Sequence, residues 1–187
     1  MRKEVPILRK NVYDFLINKV MNEQIVPPVL EIGPMSPEFT PIPEYYVNTK
    51  KYFNDKNIEY LSCDIYPDSK CDIICDVLDL NNKLKPESFG TIIALEVMEH
   101  TSKIWELPQL FYNLLKPHGK IFISVPYYFY KHAPFPDYWR ISDDGLKLLF
   151  ADKFDINIDA CYERDEKDQI IDDRKPIDYT LVGVKKS

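Results

Sequence analysis

Three acidic side chains, Glu31, Asp64 and Asp76, stand at the ends of three successive apolar runs. Such runs are typical of buried strands in a parallel sheet, and the carboxyl ends of those strands share one edge. A carboxylate after the second strand can accept hydrogen bonds from both ribose hydroxyls, and one after the third can accept from the adenine amino group. The three positions together predict a nucleoside-binding edge, although each acid alone could simply cap a turn.

A second group of candidates lies in the segments "EVMEHT" and "YKHAPFPDYWR". They contain His100 and His132, and an unperturbed pKa of about 6.5 suits histidine to accept a proton at neutral pH. Arg140 could bind a phosphate or carboxylate, or could pair with Asp137 or Asp143. Aromatic residues are dense here and predict either a flat wall over a ligand or core packing. They are Tyr127, Tyr128, Phe129, Tyr130, Phe135, Tyr138 and Trp139.

The surrounding sequence predicts the elements that position these residues. Helices are expected where apolar residues recur at helical spacing, and strands where runs are continuously apolar or alternate. Ser142 is a suitable N-cap for the last helix. The predicted helices cover residues 7–22, 47–53, 106–117 and 141–153, the predicted strands cover 29–33, 58–65, 71–77, 90–97, 120–128, 154–163 and 178–186, and an irregular proline-rich loop covers 34–46.

This alternation predicts an α/β fold with a largely parallel sheet and helices on both faces. The two C-terminal strands alternate in polarity and predict an antiparallel pair at that edge of the sheet. The chain has 187 residues and no evident linker or repeat. One domain over residues 1–187 is therefore expected, with a helical segment at 1–26 and a core at 29–187.

Composition excludes several other classes of function. The 30 acidic and 24 basic residues give a net charge of −6, so nucleic acid is not an expected partner. No apolar run approaches the ~18 residues of a membrane span, and the N-terminus lacks a secretory apolar core, which predicts a cytoplasmic protein without membrane insertion. Cys63, Cys71, Cys75 and Cys161 show no zinc-ligand spacing, so core thiols and no metal are expected.

In chain order, "VLEIGPM", "CDIYP", "CDVLDL", "FGTIIALEVMEHT", "LLKPHGKIFISVPYY" and the final hairpin resemble the class I S-adenosylmethionine-dependent methyltransferases. The stretch "HAPFPDYWRISDDGLKLL" is similar to small bacterial, type-11-like members, some of which are associated with small-molecule, glycan or lipid methylation. The resemblance covers about residue 29 to the C-terminus. It implies a Rossmann-like, doubly wound, seven-stranded sheet, mostly parallel, with an antiparallel C-terminal edge strand.

The resemblance also implies S-adenosyl-L-methionine as the cofactor. Glu31 and Gly33 would line its methionine part, Asp64 would bind the ribose, and Asp76 with the backbone of Val77 would face adenine. The full set of expected cofactor-binding residues is Glu31, Ile32, Gly33, Pro34, Asp64, Ile65, Asp76, Val77, Leu95, Glu96 and Glu99.

The first turn departs from the family pattern. The family's turn usually reads Glu-x-Gly-x-Gly, whereas this one reads Glu-Ile-Gly-Pro-Met. S-adenosylmethionine carries no phosphate for the turn to wrap, and Pro34 can stiffen the loop. Met35 is therefore tolerable if its φ is negative and its side chain points away from the cofactor.

A hydroxyl acceptor must lose its proton to a positioned base. His132 is the first candidate, because acceptors bind after the fifth strand in this fold. His100, beside the sulfonium, is the second, and a supporting role for it is equally plausible. Asp137, Tyr138 or no side-chain base complete the alternatives. The residues expected to contact the acceptor are Tyr128, Tyr138, Trp139 and Arg140.

The sequence thus predicts methyl transfer to a small-molecule acceptor, with an oxygen of a sugar, glycan precursor or lipid-like metabolite as the favoured atom. The alternative is a catalytically inactive, methyltransferase-like cofactor-binding or regulatory protein. A nicotinamide-dependent oxidoreductase has little support, because the first turn lacks three spaced glycines. No large insertion builds a substrate domain, so the pocket is either open or completed by a second subunit, as in a homodimer.

Overall fold

Helices and strands alternate along the chain, as the sequence predicts. A computed structural model of the protein describes residues 4–22, 25–34, 45–165, 167 and 169–187. The strands are β1 (Val29–Ile32), β2 (Tyr60–Asp64), β3 (Ile73–Ile74), β4 (Phe89–Leu95), β5 (Leu115–Pro126), β6 (Phe154–Cys161) and β7 (Asp178–Lys185). The helices are α1 (Glu4–Phe15, continued by a π-helical turn at Leu16–Val20), α2 (Thr49–Asp55), α3 (Leu80–Lys83), α4 (Leu107–Leu114) and α5 (Asp143–Phe150).

The strands form one seven-stranded sheet in the order β3-β2-β1-β4-β5-β7-β6. The pairs from β3 to β5 are parallel, whereas β7 is antiparallel to both β5 and β6. This confirms the predicted mixed α/β sheet with an antiparallel C-terminal pair. Within that pair β7 is the inner strand and β6 forms the edge, because Thr180 of β7 is in register with Ser124 on one side and Asp159 on the other.

The central strand β4 divides the core into two layers. Its side chains point alternately to opposite faces of the sheet, as strand geometry requires. Ile92 and Ala94 pack in one buried cluster with residues of α4 and α5, while Ile93 and Leu95 pack in another with residues of α1 and α2. Burial on both faces explains why the parallel strands are continuously apolar in the sequence.

The boundary between α4 and β5 differs from the prediction. The helix ends at Leu114, and β5 begins at the next residue instead of at Lys120. The pairing of β5 with β4 shifts its register between Phe89 and Thr91. Phe89 pairs with Leu115 and Thr91 pairs with Lys120, so the β5 residues between Leu115 and Lys120 form an irregular stretch of the strand. His118 in this stretch has φ of 60°.

Several predictions fall partly or wholly outside the described residues. The proline-rich loop predicted at 34–46 does so over residues 35–44, which include Met35. Among the helices that are described, none is both long and apolar enough to cross a bilayer.

Candidate active site

The turn after β1 requires glycine at position 33. Gly33 has φ of +62°, in the left-handed region that other residues rarely adopt. A Cβ atom placed there would lie 2.8 Å from Cγ2 of Val97, and the Gly33 N–H donates to the Cys63 carbonyl at 2.8 Å. The turn therefore brings bare backbone against the end of β2. Pro34 follows directly, while Ile32 is buried in the core.

Glu31 lies beneath this turn as a buried acid. Its side chain is 2% exposed, and its Oε2 accepts hydrogen bonds from the Tyr60 hydroxyl at 2.5 Å and from the Thr49 hydroxyl. Burial raises the pKa of Glu31, and the two hydrogen bonds offset part of that shift. Glu31 thus links β1 to β2 and to the start of α2. Its carboxylate is buried in these contacts, so its expected effect on a cofactor would be indirect, by supporting the turn at Gly33.

Asp64 is the last residue of β2, and Asp76 follows the neighbouring strand β3 at the same edge of the sheet. Oδ1 of Asp64 accepts from the Tyr66 N–H at 2.9 Å, and Oδ1 of Asp76 accepts from the Leu78 N–H at 2.9 Å. Both acids therefore cap local turns and are also partly exposed. Partial burial raises the pKa of Asp64. Ile65 beside it is 56% exposed.

Val77, Leu95 and Glu96 complete the predicted cofactor edge. Val77 and Leu95 are buried, so only their backbone could face a ligand there. Glu96 has φ of 56°, and its Oε1 accepts from the Ser124 hydroxyl at 2.8 Å. Glu96 therefore has a backbone conformation that residues other than glycine rarely adopt, and its side chain is hydrogen-bonded to the neighbouring strand β5.

Glu99 is entirely buried in a 3₁₀ turn at Met98–His100. Neither of its carboxylate oxygens accepts a hydrogen bond from the described residues. Burial raises its pKa well above the ordinary value, and the nearby charge of Glu96 adds to the shift. A buried carboxyl without a donor is costly, so this side chain is a candidate for ligand binding.

The loop after β5 is organised by Arg140. Its guanidinium donates to both oxygens of Asp137, at 2.6 and 2.7 Å, and to the carbonyls of Phe129, Tyr130 and Trp139. Of the alternatives for Arg140, the structure therefore shows the pair with Asp137. Burial opposes ionisation of Asp137, but the bonds from Arg140 and the His132 backbone hold its pKa at about 2.

This loop docks on the turn that carries Glu99 and His100. The Tyr138 N–H donates to the Glu99 carbonyl at 2.7 Å, and the Trp139 indole donates to the Thr101 carbonyl at 2.9 Å. The rings of His100 and His132 consequently lie 5.4 Å apart between centroids. The two histidines that the sequence offered as alternatives are brought into one group.

The aromatic residues after β5 divide between the core and a cavity. Trp139 packs against the core and lies 6.3 Å from the ring of Trp105, whereas Tyr138 is half exposed. A cavity of about 610 Å³ lies beside the end of β5. Its lining residues are Tyr127, Tyr128, Phe129, Tyr130, Glu163, Ile171, Asp172, Lys175 and Ile177.

Phe129 connects that cavity to the histidines. Phe129 is one of the cavity's lining residues, and its ring lies 5.4 Å from the ring of His132. Burial lowers the pKa of His132, so its imidazole is neutral near pH 7. The sequence did not identify the hydroxyl donors to Glu31 and Glu96, which are Thr49, Tyr60 and Ser124. One signal was available for Tyr60. It lies two residues before Ser62, which pairs with Glu31, so both residues of β2 point to the same face of the sheet.

No family model and no curated protein matches the chain. Solved structures do match. A methyltransferase of Archaeoglobus fulgidus is 17% identical with a TM-score of 0.69, over 95% of this chain and 94% of that one. The methyltransferase in a Haloferax volcanii complex with the Trm112 activator is 14% identical with a TM-score of 0.66, over 99% and 93%.

A Thermotoga maritima S-adenosylmethionine-dependent methyltransferase is 13% identical with a TM-score of 0.63, over 96% of this chain and 92% of that one. Other neighbours include a carbon methyltransferase and phosphoethanolamine N-methyltransferase of Haemonchus contortus. The neighbours therefore differ in acceptor atom while sharing one architecture. With its strand order and antiparallel β7, the chain has the class I S-adenosylmethionine-dependent methyltransferase fold.

Proposed function

We propose that this protein is an S-adenosylmethionine-dependent methyltransferase that acts on an oxygen of a small-molecule acceptor. The observation that carries the proposal is the edge shared by β1 and β2, where the left-handed turn at Gly33 is hydrogen-bonded to the end of β2, next to the partly exposed Asp64. In parallel α/β sheets this edge is where nucleoside ligands bind.

The residues at this edge fit the adenosyl part of the cofactor. The carboxylate of Asp64 is placed to accept from ribose hydroxyls, and the exposed side chain of Ile65 offers an apolar surface to the adenine ring. Asp76 follows the neighbouring strand and could accept from the adenine amino group. When bound, the cofactor supplies an electrophilic methyl group on a sulfonium.

The cavity beside β5 supports a small-molecule acceptor. Its walls combine aromatic rings with Glu163, Asp172 and Lys175, and the Lys175 ammonium lies 5.4 Å from the ring centroid of Tyr128. Aromatic surface with a few charged groups suits a sugar or an amphipathic metabolite. We therefore propose a sugar, a glycan precursor or a lipid-like molecule as the acceptor.

The group formed by Glu99, His100 and His132 supports oxygen as the acceptor atom. A hydroxyl is a poor nucleophile until it loses its proton, and His132 of this group lies against Phe129, which lines the cavity. Asp137 is less suited to take that proton, because Arg140 and the His132 backbone occupy both of its oxygens. A single domain, a cytoplasmic location and a homodimer remain predictions beside this proposal.

Calorimetric titration tests the cofactor site. We expect S-adenosylmethionine and S-adenosylhomocysteine each to bind with one site per chain. Asp64→Ala should weaken both by at least tenfold, because hydrogen bonds to a charged group contribute about 1.5–3 kcal/mol. Asp152→Ala is the matched control, since Asp152 is 88% exposed beyond α5.

Failure of both ligands to bind at millimolar concentration would overturn the proposal, as would equal binding by Asp64→Ala. Turnover is then measured as labelled methyl transferred to a panel of sugars and lipid-like alcohols. Binding without transfer to any acceptor would favour the inactive alternative over the enzyme.

A further inference from the structure

Glu99, His100 and His132 converge on one point. One side-chain ligand atom from each lies within 4.8 Å of the other two. Glu99 is 0% exposed, and His100 has a side-chain exposure of 18%. Both carboxylate oxygens of Glu99 and Nε2 of His132 are buried without a hydrogen-bond partner among the described residues.

Backbone carbonyls determine which ring nitrogen of each histidine carries the proton. Nδ1 of His100 lies 3.0 Å from the Pro136 carbonyl, and Nδ1 of His132 lies 3.0 Å from the Ala133 carbonyl. A carbonyl oxygen can only accept, so Nδ1 carries the hydrogen in both rings. In the neutral imidazoles Nε2 is then a lone-pair acceptor, which is the state in which histidine binds a metal.

Three electron-pair donors therefore face one another. Nε2 of His100 lies 3.5 Å from Oε1 of Glu99. A ring nitrogen of His132 lies within 4.8 Å of the ligand atoms of both residues, and Nε2 is the His132 nitrogen that has no hydrogen-bond partner among the described residues. Facing acceptors repel unless a cation lies between them, and one proton could bridge only a single pair. A metal ion would satisfy the Glu99 carboxylate and Nε2 of His132, with His100 as a third ligand.

The surrounding contacts hold the donors in place. The Asp137 carboxylate accepts from the His132 backbone N–H at 2.8 Å, and Arg140 fixes Asp137. The Tyr138 N–H fixes the turn of Glu99 through its carbonyl. The bonds from Nδ1 of both histidines to backbone carbonyls orient the rings, as a bond from the other ring nitrogen usually does in metal-binding histidines.

We propose that Glu99, His100 and His132 bind one divalent transition-metal ion. Two imidazoles and one carboxylate are a donor set that suits Zn²⁺, Co²⁺ or Fe²⁺ better than Mg²⁺ or Ca²⁺, which prefer oxygen ligands. Donor atoms around a tetrahedral ion are about 3.4 Å apart for bonds of ~2.1 Å, so from a spacing within 4.8 Å the group needs to contract by at most about 1.4 Å.

If the protein has the proposed function, the metal ion also has a role in activating the acceptor, and this consequence rests on the proposed function. Three protein ligands leave coordination positions open, and a bound hydroxyl has a lowered pKa. Phe129 lines the cavity and its ring lies 5.4 Å from the ring of His132, so the cavity and the proposed metal site have this residue in common. The ion would replace a single histidine as the activating group.

Cobalt spectroscopy tests the site without any need for activity. Chelator-treated, untagged protein is titrated with Co²⁺ while its visible absorption is recorded, and Zn²⁺ is then added as competitor. We expect saturation at one Co²⁺ per chain, loss of the bands on adding Zn²⁺ and no such loss with equimolar Mg²⁺. Glu99→Gln and His132→Asn should each weaken binding by on the order of 100-fold.

The third histidine of the chain provides the matched control. His118 lies in β5 at positive φ, which asparagine tolerates, and His118→Asn should leave Co²⁺ binding unchanged. Absence of saturable binding at millimolar Co²⁺ would overturn the proposal, as would an equal loss in His118→Asn. Thermal unfolding without metal verifies that the variants fold. Titration of the metal-free protein with S-adenosylhomocysteine separates the two proposals, because the cofactor edge does not need the ion.

Discussion

At the scale of single residues, Gly33 is a position where both the backbone conformation and the space for a side chain require glycine. Its φ of +62° costs an L-residue about 1–2 kcal/mol, and an added Cβ would meet Val97 at 2.8 Å. We expect Gly33→Ala to lower the free energy of unfolding by about 2 kcal/mol or more and to weaken S-adenosylhomocysteine binding. Urea denaturation and calorimetry measure the two effects.

The backbone strain at Gly33 and the clash with Val97 can be separated in a double-mutant cycle with Val97→Ala. Removing Cγ2 of Val97 relieves the clash and leaves the backbone strain, so the double variant should recover part of the stability lost by Gly33→Ala. Wild-type stability in Gly33→Ala alone would show that the turn is not held in this conformation.

The same scale shows what could be read from the sequence. The sequence predicts Glu31, Asp64 and Asp76 at strand ends because the apolar runs before them are continuous. Asp64 is the last residue of β2 and Asp76 follows β3 after Cys75, whereas Glu31 lies inside β1 and is buried. The hydroxyl donors to Glu31 come from α2 and β2, and such partners depend on packing between elements. Local patterns do not specify those contacts.

At the scale of elements, α5 begins where the sequence predicted. The Ser142 hydroxyl accepts from the Gly145 N–H at 3.1 Å, so it satisfies one of the free donors in the first turn. We expect Ser142→Ala to lower the free energy of unfolding by about 1 kcal/mol, measured by chemical denaturation. Ser142→Asp keeps an acceptor oxygen and is the control. Equal losses in the two variants would contradict the capping role.

Element boundaries were harder to predict where tertiary pairing competes with local signals. Proline and glycine are typical of a helix end, yet Pro117 and Gly119 both lie within β5, because the irregular pairing with β4 includes them. The order of β6 and β7 also depends on long-range pairing. Alternating polarity predicts an antiparallel pair, but it does not say which strand joins β5.

At the scale of the whole molecule, the site is assembled from segments far apart in the chain. The turn after β4 and the loop after β5 meet through hydrogen bonds from Tyr138 to Glu99 and from Trp139 to Thr101. Sequence spacing could not indicate a shared ligand for His100 and His132, since each lies alone in its segment. Local periodicity in the sequence was enough to predict the fold class. The proximity of His100 and His132 depends on contacts between distant segments, so it could be seen only in the folded structure.

Buried acids make the stability of the whole molecule depend on pH. The contribution of Glu31 to this dependence can be measured separately. Burial raises its pKa in the folded state above the unfolded value of about 4.3. Between those two values the folded state holds the extra proton, so stability falls as pH rises, by about 1.4 kcal/mol per pH unit. Above the folded pKa the loss is complete and constant.

Glu31→Gln removes this titration while keeping an acceptor oxygen for Thr49 and Tyr60. The variant should therefore gain stability relative to the wild type as pH rises from about 4.3, and the difference should level off once Glu31 ionises in the folded protein. Tyr60 and Cys71 face Glu31, but burial raises the pKa of both, so neither titrates in this window. Urea denaturation of both proteins between pH 4 and 8 measures the difference. A constant difference across that range would mean that Glu31 titrates as it does in water, and its role in joining β1, β2 and α2 as a buried acid would have to be abandoned.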